Sequence, residues 1–89
     1  MPYIVQEDRE FYDKDLKQLI IKLHDISHWN PGTVNYVIYR LLLGWWQHDP
    51  RYHTICSIMG TLSCVAQEFY RKISALYEDQ AIAKNGDIT

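Results

Sequence analysis

Two short stretches combine arginine with tyrosine at one-turn spacing. Asn35, Tyr36, Tyr39 and Arg40 share an edge, with Tyr36–Arg40 and Asn35–Tyr39 each four residues apart, the separation that makes neighbours on a helix surface. Glu68, Tyr70, Arg71, Lys72 and Tyr77 form a second mixed strip. A guanidinium offers paired N–H donors to a phosphate, and an aromatic ring offers a stacking face. In that use Arg40 and Arg71 hold phosphate oxygens, Tyr36 and Tyr70 stack, and Asn35 reads a hydrogen-bonding edge. Glu78 and Asp79 then orient the arginines or accept from a ribose hydroxyl. The ligand is small, anionic and nucleotide-like. The structural use of the same residues is ion pairing between helices, Arg40 or Arg71 with Glu68 or Glu78.

Other combinations fall short of a chemistry. His24 and His28 are four apart, as two metal ligands on one helix face would be, but Asp25, Ile26 and Ser27 between them leave no H-E-x-x-H pattern. His53-x-x-Cys56, with His48 near it, is a second pair without a four-ligand set. Histidines at helix ends also suit the negative end of the helix dipole. All-helical nucleotide pyrophosphohydrolases hold Mg²⁺ with paired E-x-x-E and E-x-x-D motifs. Here Glu7-x-x-Glu10 lies at the start of the chain, and the long C-terminal stretch has no E-x-x-D. No nucleophile and base accompany these acids. The expectation is a non-enzyme with no metal and no cofactor.

Three helices must position the candidate residues. After a short arm, 1–9, apolar Phe11, Leu16, Leu19, Ile20, Leu23 and Ile26 mark one face of a helix over about 10–26. Asp8 or Asp13 can cap it, and Tyr3, Ile4 and Val5 are apolar enough to pack back on the body. Asn30-Pro31-Gly32 is a strong turn signal. Thr33 then caps a helix over about 33–47, whose predicted buried face is Val34, Val37, Ile38, Leu41, Leu42 and Trp45. Tyr36, Tyr39, Leu43 and Trp46 lie off that stripe, so this helix is apolar nearly all round, as a central or interface helix is. Asp49 as N-cap and Pro50 at the first helical position open the longest element, about 50–84. Its apolar face is Ile55, Ile58, Met59, Leu62, Val65, Ala66, Phe69, Ile73 and Leu76, and Asn85-Gly86 stops it. The fold class is all-α: one three-helix domain over residues 1–89 with a long C-terminal helix, oligomerised helix on helix.

Composition bounds the function classes. Eighty-nine residues make a single small domain with a modest core. Yet 47% of the chain is hydrophobic and 13% aromatic, more apolar material than a three-helix monomer hides. A homo-oligomer, most simply a two-fold dimer, follows, with Tyr39, Trp45, Trp46 and mid-helix Gly60 at the contact. A formal net charge of −2 argues against nucleic acid, which asks for a basic stripe. No apolar run approaches the roughly 18 residues of a membrane span. The opening Met1-Pro2-Tyr3 leads into charged QEDRE without the apolar core of a signal peptide. Cys56 and Cys64 stand about 12 Å apart along one helix, too far to bridge each other. Free thiols without an export signal predict the cytoplasm.

The run Val34-Asn35-Tyr36-Val37-Ile38-Tyr39-Arg40-Leu41-Leu42 resembles the LNYVITRLL stretch of an uncharacterised family of small proteins from phages, bacteria and archaea. The likeness continues in Met59–Cys64, Glu68-Phe69-Tyr70-Arg71-Lys72, Tyr77-Glu78-Asp79-Gln80 and Asn85-Gly86-Asp87-Ile88, and includes the opening Pro2-Tyr3-Ile4 with Gln6–Arg9. The sequence departs from the family at Trp45–Pro50, where other members are more charged. The resemblance implies a stand-alone, often phage-borne domain. The functions to weigh are a non-catalytic binding protein, capturing a small anionic ligand or blocking a host protein, a structural or adaptor subunit, and a small metal-dependent nucleotide hydrolase.

Overall fold

The computed structural model describes residues 4–25 and 29–87, all of it helix and short connections, with no strand among the described residues. Helix α1 spans Gln6–Asp25, α2 Pro31–His48 and α3 Tyr52–Phe69; a π-helical turn, Tyr70–Ser74, then leads into α4, Ala75–Asn85. The all-α class with a long C-terminal helix is as the periodicity predicts. The chain divides into two compact units, 1–48 and 49–89.

In the first unit, α1 starts four residues before the predicted boundary. The amides of Asp8 and Arg9 donate to the Val5 carbonyl, and Arg9 Nε donates to the Ile4 carbonyl at 2.9 Å. The arm therefore shortens, and Asp8 and Asp13 lie inside the helix rather than capping it. Ile4 and Val5 are exposed rather than packed back, and Tyr3 and Ile26 lie outside the described residues. Helix α2 is capped by Asn30, not Thr33. The Asn30 Oδ1 accepts from the Thr33 amide at 2.9 Å, and Pro31 takes the first helical position, where its missing N–H costs nothing. The Asn-Pro-Gly signal thus ends the connection and starts the helix at once. The side of α2 that is half-buried carries Val34, Val37, Leu42, Leu43 and Trp46; Ile38, Leu41 and Trp45 are exposed. A helix apolar all round gives no pattern from which to choose its inner face.

In the second unit the helix begins two residues later than predicted. Its N-cap is Arg51 in extended conformation (φ −125°, ψ 160°), with no side-chain cap. Asp49 acts from outside the helix instead, because its carboxylate is taken by side chains and not by first-turn amides. The helix is also interrupted. The Ala75 amide donates to the Tyr70 carbonyl, five residues back, where an α-helix would use four. At the far end Gly86 adopts φ +88° and its amide donates to the Ile82 carbonyl at 2.8 Å. That is the expected glycine stop.

Little of this is buried. Among the described residues, Leu23 (7% exposed) is the only buried apolar side chain and Thr54 (2%) the only buried polar one. Phe11, Met59 and Phe69, each predicted or eligible for a core, are 77%, 61% and 61% exposed.

Candidate functional site

The predicted site residues fall in both units. Asn35, Tyr36, Tyr39, Arg40, Trp45 and Trp46 lie on α2; Gly60 on α3, Tyr70 and Arg71 in the π turn, and Glu78 and Asp79 on α4. All of them are exposed except Trp46, which is half-buried.

On α2 the structure brings Tyr36 and Arg40 together. Arg40 Nη1 donates to the Tyr36 hydroxyl at 2.7 Å, and the guanidinium carbon lies 5.7 Å from the ring centroid. The i,i+4 spacing makes this contact possible. Because a neutral hydroxyl is the partner, the arginine keeps its full charge and four further N–H donors. Asn35 and Tyr39 flank the pair on the same exposed stretch. This is an edge able to meet an anion, with two rings beside it.

Arg71 is differently placed. Its Nη2 donates to Glu68 Oε2 at 2.7 Å, while Lys72 Nζ meets Oε1 of the same carboxylate at 2.6 Å. The two cations, above all Lys72, hold the Glu68 carboxyl below the usual range, against the opposing effect of its partial desolvation. Arg71 is thus half of a local ion-pair network, as the structural use of the sequence motif anticipates.

A second network went unpredicted. The Asp49 carboxylate receives Arg51 Nε at 2.6 Å and Nη2 at 3.1 Å, the Thr54 hydroxyl at 3.3 Å, and His53 Nε2 at 3.1 Å. The Arg51 bonds are the main reason its carboxyl titrates below the ordinary range; desolvation opposes them, and Thr54 and His53 add to them. The i,i+4 spacing of Asp49 and His53 was the available signal. In the first unit Trp29 Nε1 donates to His24 Nδ1 at 2.9 Å, so that ring nitrogen is an acceptor occupied by an indole rather than open to a metal. His28 lies outside the described residues. Among those described, no group of three His, Cys, Asp or Glu side chains is arranged to hold a metal ion. Glu7 and Glu10 sit on the formed first turns of α1. Cys56 and Cys64 are free thiols.

Gly60 has open space around it: a β-carbon there would meet no atom within 4 Å, and the same holds for Gly44 on α2. No described helix is long and apolar enough to cross a membrane.

The chain belongs to the DUF6899 family, a domain of unknown function, whose family model matches residues 1–88. Neither a curated protein nor a solved structure shows a significant match.

Proposed function

We propose that the chain is a non-enzymatic binding protein that works through its helix faces and whose first partner is a copy of itself. What supports this reading is the surface it leaves bare. A compact monomer of 10.6 kDa exposes about 5,500 Å², and two independent bodies of half that mass about 6,600 Å² together. The chain exposes 8108 Å². Even the larger reference leaves a surplus of about 1,500 Å², roughly twice the 800 Å² that a standard interface takes from each partner. That surplus is rich in Phe, Tyr, Met, Ile and Leu side chains. Helices whose apolar faces stay wet do not offset their ordering entropy, so association completes the fold. The homo-oligomer is a dimer in its simplest form, acting in a host cytoplasm if phage-borne. Once assembled, it serves as an adaptor or blocks a host protein.

The Tyr36–Arg40 pair favours a second use, capture of a small anionic ligand. Arg40 would supply the phosphate contact, with Asn35 and Tyr36 beside it. Tyr70, Arg71, Glu78 and Asp79 join only if the ligand displaces Glu68 from Arg71. The test is thermal-shift screening against nucleotides with and without Mg²⁺. A shift without Mg²⁺, abolished in Arg40→Ala with the unliganded melt unchanged, supports capture. A Mg²⁺-dependent shift with turnover would overturn the non-enzymatic reading. Absence of any shift removes the anionic ligand and leaves protein partners.

A further inference from the structure

The π turn stands in the middle of the longest exposed apolar stripe of the chain. Up to it, Ile55, Met59, Leu62, Val65 and Phe69 recur at steps of three and four, one face of an α-helix. Phe69 is 61% exposed and Val65 59%. Continued as uninterrupted α-helix, the stripe would run on through Ile73 and Leu76 to Gln80 and Ala83. The i→i+5 turn at Tyr70–Ser74 spends one extra residue. Everything beyond it slips by one position, so Tyr77 and Ala81 replace Leu76 and Gln80 under the line of Phe69. The slip exchanges a glutamine for an alanine and brings in an aromatic ring that is 72% exposed.

We propose that this face, from Ile55 through Phe69 to Tyr77, is where a second copy of the chain docks, and that the π turn sets its register. The inference rests on the homo-oligomeric reading above and adds the face and its phase. The occupant follows from length and area. From Tyr52 to Asn85 the element runs about 50 Å at 1.5 Å per residue. The other helices have 20 and 18 residues, about 30 Å and 27 Å. Only an element as long as itself covers the stripe from end to end, and a two-fold partner supplies one. The uncovered surface exceeds what one such contact takes from each chain. π turns inside α-helices are concentrated at functional sites, and re-aiming a contact face is a function that this one performs. Gly60 lies off the stripe, in step with Cys56 and Cys64.

Two exposed neighbours separate the phases. Tyr77→Lys places a charge on the stripe and should weaken self-association at least tenfold by sedimentation equilibrium. Leu76→Lys, on the other side of the slip, should change it less than threefold. The reverse order would overturn the proposed register, and equal small effects would overturn the face. A fold-independent readout accompanies them, in a Cys56→Ser, Cys64→Ser background. Phe69→Cys should form an inter-chain disulfide, and Ser63→Cys, off the stripe, should not. A wild-type chain that sediments as a monomer would instead remove the homo-oligomeric reading itself.

Discussion

The Asp49 carboxylate meets Arg51, His53 and the buried Thr54, and Glu68 meets Arg71 and Lys72. Both carboxyls titrate lower in the folded chain than in the unfolded one. Groups depressed in this way stabilise the fold wherever both states are ionised, above the ordinary carboxylate range. That contribution fades as pH falls through about 4 and is lost below the folded values. The melting temperature should therefore drop between pH 5 and pH 3, and Asp49→Asn with Glu68→Gln should flatten that drop. Thermal melts of the two proteins across this range check it; parallel curves would assign acid sensitivity elsewhere. Much at this scale was legible in the sequence. Tyr36 with Arg40 and Glu68 with Arg71 follow from helix spacing alone, since side chains three or four apart must be neighbours. Trp29 on His24 was not legible, because a loop residue's reach has no period. Asp49 was legible as polar and helix-opening, but a carboxylate has four acceptor positions, and the sequence does not say whether amides or side chains fill them.

Among the elements, the three long periodic segments and both of their breaks could be read directly. The π turn could not. A one-residue insertion hides in an averaged period when the residues on either side of the slip, Leu76 and Tyr77, are both apolar. The inner face of α2 was hidden for a related reason, since apolar residues surround the helix. Glycine gives a test at this scale. Gly60 sits in a helix with nothing near its missing side chain, so Gly60→Ala should stabilise the chain by about 1 kcal/mol. For a domain of this size that raises the melting temperature by roughly 4–8 °C. If the same change instead lowered oligomer mass, a partner helix would lie against Gly60, and the interface would include the face opposite Phe69.

At the scale of the molecule, one buried apolar side chain among the described residues does not make a core. Composition already pointed this way, with too many aromatic residues for 89 positions; what composition left open was which faces stay bare. A chain that completes its core by association has a stability tied to its concentration. Its melting temperature should climb as the protein is concentrated from low to high micromolar, whereas a self-sufficient monomer's would stay constant. The most direct measurement is the solution mass by light scattering at micromolar concentration. The account predicts about 21 kDa or a higher multiple of the 10.6 kDa chain. A stable, well-melting species of 10.6 kDa would contradict it.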